Sequence, residues 1–309
     1  MDAYPHTLAE FERRFATEAA CAAYLAEVRW PEGFRCPECT SSRSWTTTRG
    51  LFVCSSCQRQ VSVTAGTLFH RSRLPLRTWF RVMWWVTNQK QGVSALGLQR
   101  LLGLKRYETA WNCLHRLRRA MVRPGRDRLD GVVEVDETFV GGVAPGSHGR
   151  HLGNKALVVI GAQVEGKGIG RIRMRRIPAA SAGVLLAFVK TAVELGSTVV
   201  TDGWEHYEVV GKMGYTHRPR VIKGSGKTAS QLLPRVHLVA SLLKRWLVGT
   251  HQGAVSRDQL DAYLDEFTFR FNRRRSRHRG LLFHRLVEQV AATDPVPNAD
   301  LVAKRRPKG

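Results

Sequence analysis

The sequence predicts a multidomain α/β chain, and three observations carry that reading. Two CxxC motifs stand 14 residues apart near the start, a basic stretch with helical periodicity occupies 71–128, and from residue 129 strand-like apolar runs alternate with helical ones. The predicted order is a zinc ribbon, a helix-turn-helix-like helical region, then a mixed β-sheet with flanking helices. The chain divides accordingly into an N-terminal helical segment at 1–30, the ribbon at 31–70, the helical region at 71–128, and a sheet domain with a basic C-terminal segment at 129–309.

The ribbon rests on Cys36-Pro-Glu-Cys39 and Cys54-Ser-Ser-Cys57. Each CxxC turn aims two sulfurs inward, and two turns complete a tetrahedral zinc site. Four thiolates fill the coordination sphere, so the predicted Zn²⁺ is structural rather than catalytic. The intervening "SRSWTTTRGLFV" reads as a hairpin turning at Gly50. Cys21 and Cys113 lack such spacing and read as buried free thiols.

In the helical region, "LPLRTWFRVMWWVTNQKQG" supplies one helix whose Trp79, Trp84 and Trp85 read as core. Ser94 is positioned to cap a short helix through Leu102, and Gly103 to end it. A second helix runs from about Tyr107 to Met121 and offers Arg116 and Arg119 to a ligand. Two short helices joined by a tight turn match a helix-turn-helix, and charge strengthens the match: residues 71–128 hold fourteen Lys or Arg against two acids.

Charge is lopsided across the whole chain. Lys and Arg outnumber Asp and Glu by 49 to 25, which favours a polyanionic partner, nucleic acid or an anionic membrane. No apolar run reaches the roughly 18 residues of a membrane span. The N-terminus lacks the charged start and apolar middle of a secretory signal, so a cytoplasmic protein is expected. "RFNRRRSRHR" places six Arg within Arg270–Arg279, including Arg273, Arg274 and Arg275, and reads as a grip on a nucleic-acid backbone.

Within the sheet domain, "VVEVDETFVGG" sets acids into a strand. Period-two geometry puts Val133, Val135 and Glu137 on one face, Glu134 and Asp136 on the other. Strands follow at "KALVVIGAQV" and "IGRIRMRRI", a helix at Ala182–Glu194, and a strand delivering Asp202 in "STVVTDGW". Two carboxylates at neighbouring strand ends repel unless cations neutralise them, a task that suits Mg²⁺ or Mn²⁺, with a phosphodiester as the natural substrate. The helix after Pro234 buries Val236, Val239, Leu243 and Trp246, while His237, Ser241, Lys244 and Arg245 take another arc. His237 is thereby a candidate nitrogen ligand. "GSGKTAS" mimics a phosphate loop, but its required first glycine falls at Val221, so no nucleotide cofactor is expected.

The pieces "CPEC…CSSC", "VEVDETFVGG", "TDGW", "VHLVASLLKRWLVGTHQG" and "YLDEFTFRFNRRR" resemble, in this order, the bacterial insertion-sequence transposases of the DDE superfamily that join a zinc ribbon to an RNase H-like catalytic domain. That resemblance implies divalent-metal-dependent cleavage and strand transfer at terminal inverted repeats. It implies double-stranded DNA as partner, both repeats and target, and a homodimer or higher oligomer on DNA. Asp136 and Asp202 match the first two catalytic carboxylates, His237 stands at the third, acidic position, and Lys244 matches a basic residue that contacts DNA. Two catalytic Mg²⁺ or Mn²⁺ ions are expected on these ligands, with Glu134 a possible auxiliary acid. Localisation would be bacterial cytoplasm, nucleoid-associated when DNA is bound. Two other readings share parts of the pattern: a non-catalytic zinc-ribbon DNA-binding regulator, and a metal-dependent nuclease without strand transfer.

Overall fold

The computed structural model describes residues 4–123, 125–141, 155–221 and 223–302. The chain forms two compact units, Met1–Arg123 with Ser276–Gly309, and Pro124–Arg275. No helix among the described residues is long and apolar enough to cross a membrane.

The first unit opens with α1 (Leu8–Arg14) and α2 (Glu18–Arg29). Both start on threonine caps: the Thr7 and Thr17 hydroxyls accept the N–H groups of Glu10 and Ala20 at 3.2 and 3.1 Å. The antiparallel strands β1 (Ser44–Thr46), β2 (Phe52–Cys54) and β3 (Gln60–Val61) form the ribbon. Helices α3 (Leu76–Asn88), α4 (Ala95–Leu102) and α5 (Tyr107–Ala120) follow. The α4–α5 pair matches the predicted one closely. Ser94 Oγ accepts the Gly97 N–H at 3.0 Å, and Gly103, at φ +61°, takes the left-handed conformation that closes α4. Trp79 and Trp84 are buried, as core residues should be.

The second unit is a five-stranded sheet. Strands β4 (Val132–Val140), β5 (Ala156–Glu165) and β6 (Gly168–Ile177) form an antiparallel meander, and α6 (Ala182–Ala192) leads into β7 (Thr198–Thr201), parallel to β4. After α7 (Glu208–Gly211), β8 (Thr216–Pro219) adds a parallel edge. Its sequence, Thr-His-Arg-Pro, is polar and mostly exposed, so it lacks the apolar alternation that marks a strand in sequence. Helices α8 (Ala229–Leu232), α9 (Pro234–His251) and α10 (Leu260–Asn272) complete the unit. The strand order β6-β5-β4-β7-β8, with helices on both faces, is that of an RNase H-like fold. Val133, Val135, Val159 and Val199 pack against Leu185 and Phe188 of α6. On the other face Val158, Ile160 and Val200 meet Val236, Val239 and Leu243 of α9 and Phe267 of α10. Each such fully buried side chain contributes about 1.5–3 kcal/mol.

Helices α11 (Arg279–Ala291) and α12 (Asn298–Val302) group with the first unit, whereas the sequence reading ran the sheet domain to residue 309. The physical cause is aromatic. Phe283 of α11 is fully buried, with ring centroids 5.4 Å from Phe11 and 5.5 Å from Phe15 and Phe80.

Candidate functional site

The four ribbon cysteines stand on two matched turns. Thr40 N–H donates to the Cys36 carbonyl and Gln58 N–H to the Cys54 carbonyl, at 2.9 and 3.0 Å. Thr40 and Gln58 both adopt left-handed backbone, with φ +60° and +58°. The sulfurs of Cys36 and Cys57 are 3.6 Å apart, those of Cys39 and Cys54 3.5 Å, and all four lie within 4.8 Å of one another. A disulfide needs about 2.05 Å. A tetrahedron with zinc–sulfur bonds of roughly 2.3 Å has edges near 3.8 Å, so the donor set fits a structural Zn²⁺. Backbone N–H groups aimed at Cys54, chiefly that of Cys57, pull its thiol down to about 6, toward the thiolate a metal requires.

In the sheet unit, β4 and β7 pair in parallel with Val132 opposite Thr198 and Glu134 opposite Val200, a constant offset of 66 residues. Continued by two residues, that register sets Asp136, midway along β4, level with Asp202, which follows the last residue of β7. Gly203, at φ +82°, turns the chain immediately beyond, and Asp202 Oδ1 accepts the Trp204 N–H at 3.0 Å. An added Cβ on Gly203 would approach Val221 to 2.8 Å, so the close turn needs glycine twice over. Burial, and the nearby Asp202 carboxylate, push the Asp136 carboxyl up to about 6.

Helix α9 brings His237 to the same place. His237 Nε2 lies 3.3 Å from Asp136 Oδ2. That nitrogen is inaccessible to solvent and has no hydrogen-bond partner. A buried, unpartnered imidazole nitrogen beside a carboxylate oxygen is what a shared cation would satisfy, so the donors fit a divalent ion of the Mg²⁺ or Mn²⁺ type. The trio is open, however: among the described residues, only the four cysteines gather three or more ligand atoms within 4.8 Å.

Glu134 occupies a different role from the auxiliary acid that sequence suggested. Its Oε2 accepts the N–H groups of Arg235 and Val236 at 2.7 and 3.0 Å, and its Oε1 accepts Arg235 Nη1 at 3.3 Å. Helix α9 has no side-chain cap of its own and no acid in its first turn, so a strand carboxylate supplies both. Sequence reasoning also passed over the pairing of Glu137 with Tyr207. The tyrosine hydroxyl donates to Glu137 Oε1, and burial pushes the Glu137 carboxyl up to about 7. Glu137 meets Tyr207 of the α6-side core while Asp136 meets His237 of α9, the opposite faces that strand periodicity requires. The only signal was its adjacency to Asp136; nothing marked Tyr207.

The predicted basic residues separate into two groups. Lys244, Arg245 and Arg119 are exposed. Arg116 instead donates to Asn298 Oδ1 at 2.7 Å. Arg274 donates to the Gly170 and Phe271 carbonyls at 3.1 and 2.9 Å and covers the Phe271 ring at 3.9 Å. Arg275 pairs with Glu165 at 2.5 Å, and Arg273 lies 4.0 Å over Phe269. These arginines hold α10 to the β5–β6 hairpin and cover the helix's own aromatics.

A sheet of this order with a four-thiolate ribbon ahead of it is the arrangement of a zinc-ribbon transposase of the DDE superfamily. The ISXO2-like transposase domain family matches residues 128–272, and the transposase zinc-ribbon domain family matches residues 16–60. The chain belongs to the IS1595-like transposases with an N-terminal zinc ribbon. It is 27% identical over 282 residues to an uncharacterized protein in transposable element ISH50 of Halobacterium salinarum, covering 84% of this chain and 92% of that one. That organism is an archaeon, so the similarity extends beyond bacteria. Among solved structures, the chain is similar to one in the simian T-cell lymphotropic virus intasome (11% identity, TM-score 0.29), covering 62% of this chain and 64% of that one. It is also similar to one in the Mos1 strand transfer complex (12% identity, TM-score 0.30), covering 74% and 79%.

Proposed function

We propose that this transposase cleaves DNA at the terminal inverted repeats of its insertion sequence and transfers the freed 3′ ends to target DNA, in a divalent-metal-dependent reaction. The observation that carries the reading is the approach of His237 Nε2 to Asp136 Oδ2 at 3.3 Å beside the strand bearing Asp202. Asp136 and Asp202 are the metal-holding carboxylates in this reading, and His237 is the nitrogen ligand at the third position. Two divalent cations held there would supply Lewis-acid activation of an attacking oxygen and would neutralise charge on the scissile phosphate. The carboxylates thereby serve a polyanionic substrate without repelling it. Glu134 holds the first turn of α9 so that His237 faces Asp136. Lys244 and Arg245 contact phosphates on one side of the centre, and Arg119 of the helix-turn-helix-like pair adds a further contact. Joining two ends to one target requires at least two copies of the chain on DNA.

The test is incubation of the protein with labelled DNA bearing the element's own ends, with Mg²⁺ or Mn²⁺, scoring nicks and joined products separately. Joined products are expected. Nicking without joining would identify a nuclease, and binding without either would identify a DNA-binding regulator.

A further inference from the structure

We propose that a cleft beside the C-terminal half of α9 receives one unstacked nucleotide of the bound DNA, a reading that rests on the transposase function above. The cleft holds about 470 Å³, within the range of pockets that take small ligands. It opens between the end of β4, the start of β5 and the α9–α10 connection.

Its chemistry is divided. The walls include Phe139, Leu247 and Val248, while Lys155, Lys244 and Arg257 supply three cations, and among the described residues no acid lines it. Phe139 and Val248 are 36% and 65% exposed, so each leaves part of its apolar surface open. None of the three cations forms an ion pair with a carboxylate among the described residues, and Lys155 is close enough to depress the Lys244 ammonium further below the lysine range than burial alone. A second cleft in the same unit, around Leu238 and Leu242, is also basic, but its arginines are occupied: Arg235 by Glu134, Arg275 by Glu165, and Arg274 by backbone carbonyls. Of these two clefts, the first combines a partly open aromatic surface with cations that form no ion pair among the described residues. A ligand with a flat apolar ring and an attached phosphate satisfies both, and a nucleotide of DNA is such a ligand.

Position supports a nucleotide rather than a free metabolite. Lys244 follows His237 by seven residues on one helix, about 10 Å along its axis. Stacked bases repeat at about 3.4 Å per strand, so a strand reacting at His237 reaches the cleft within roughly three nucleotides. Base and phosphate would enter together, the base against Phe139 and the phosphate against the Lys155, Lys244 and Arg257 side chains.

The test uses a short duplex carrying 2-aminopurine, either fully paired or opposite a mismatch, with Ca²⁺ as a non-catalytic ion. A mismatch lowers the cost of unstacking. Wild-type protein should bind the mismatched duplex about tenfold more tightly, the lower part of what one aromatic stack confers, with altered 2-aminopurine fluorescence. Phe139→Ala should bring the ratio near one. Val248→Asp, at a more exposed position, should do so without touching the sheet. Lys155→Ala should weaken both duplexes alike. A wild-type ratio near one, or a tenfold ratio retained in both Phe139→Ala and Val248→Asp, overturns the proposal. A tenfold ratio in protein that neither nicks nor joins its own ends would leave the cleft assigned and the transposase reading refuted.

Discussion

The Glu134 carboxylate accepts the backbone N–H of Arg235 at 2.7 Å, tying the strand that bears Asp136 to the helix that bears His237. Two residues further along each element come Asp136 and His237 themselves, 3.3 Å apart. The same device appears in the other unit, where the Glu18 carboxylate of α2 accepts the N–H groups of Leu76 and Arg77 at the start of α3, at 2.6 and 3.0 Å. In both cases a remote glutamate supplies the negative charge a helix N-terminus favours. Glu134→Ala leaves the first-turn amides of α9 without their acceptor and the Arg235 guanidinium without its carboxylate partner. The expected cost is about 2–4 kcal/mol, read as a fall in the melting temperature of roughly 5–15 °C. Glu134→Gln, which keeps an acceptor oxygen, should fall by less. A Glu134→Ala protein as stable as wild type would remove the clamp from this account.

Asp136 should behave oppositely. Its carboxyl is pushed up to about 6 chiefly by burial, so in the metal-free protein the charge is a burden that Asp136→Asn removes. Cleavage is expected to vanish, DNA affinity to persist, and the melting temperature of the metal-free variant to match or exceed that of wild type above pH 7. His237→Ala should also lose cleavage. Because imidazole favours Mn²⁺ over Mg²⁺ more than a carboxylate does, wild-type activity should be higher with Mn²⁺, and His237→Glu should shift the preference toward Mg²⁺. Equal rates with both ions in wild type and His237→Ala would exclude the imidazole from the site.

Much of this architecture was legible in sequence because local chemistry dictated it. The CxxC pairs, the Ser94 cap, the Gly103 stop and the alternation around Asp136 each act over a few residues. The α9 face carrying His237 was legible too, since burial of Val236, Val239 and Leu243 fixes the opposite arc. Long-range relationships were not. Glu134 and Arg235 are 101 residues apart, and nothing in either segment announces that a strand acid caps a distant helix. The "RFNRRRSR" run read as a DNA grip, yet Arg274 reaches back 104 residues to the Gly170 carbonyl. Composition shows how many cations a segment has, but not which are already occupied by the fold. For α11, which the sequence reading left within the basic C-terminal segment, the aromatic partners of Phe283 lie near the N-terminus and are found only in three dimensions.

Glu137 gives a pH dependence with a definite sign. Burial raises its carboxyl from the usual 4.5 to about 7 in the folded protein. Between those values the folded state holds a proton that the unfolded chain has released, so this group's contribution to stability falls as pH rises through the window. Glu137→Gln removes the titration while keeping an oxygen to accept the Tyr207 hydroxyl. The variant should therefore gain on wild type from pH 5 to pH 8, by at most about 3 kcal/mol, the free-energy equivalent of the full shift. Thermal melts of both metal-free proteins across that range check it. A constant difference would mean Glu137 titrates as an ordinary surface carboxyl.

The exposed cations of α9 should act through phosphate charge. Lys244→Ala and Arg245→Ala are each expected to weaken binding to DNA of any sequence and to reduce the salt slope of log K by about one unit. Arg274→Ala, by contrast, should lower thermal stability, because its guanidinium bonds backbone carbonyls and covers Phe271. Binding isotherms at several salt concentrations separate the two classes. An Arg274→Ala protein of unchanged stability and reduced salt slope would return that residue to the DNA-binding set.

The ribbon should depend on zinc for its fold. Its core cluster has four buried residues, Phe34, Cys36, Cys54 and Val61, with Trp30, Phe52 and Ala65 partly covered around it, and Val53 and Val63 are buried outside that cluster. Two of those four buried residues are metal ligands, so the apolar surface that remains is too small to order three strands of two or three residues each. Without the cation, the Cys54 thiol, pulled down to about 6 by backbone N–H groups, would leave an unneutralised thiolate within 4.8 Å of three other sulfurs at neutral pH. Chelation should therefore unfold residues 30–65 and leave the sheet unit intact. The expected signature is loss of amide protection confined to that segment in hydrogen exchange, with a red shift in Trp30 fluorescence and one equivalent of Zn²⁺ released. Cys54→Ser should reproduce it. Retained protection at Val53 and Val61 after complete zinc removal would show that the ribbon folds on its own core.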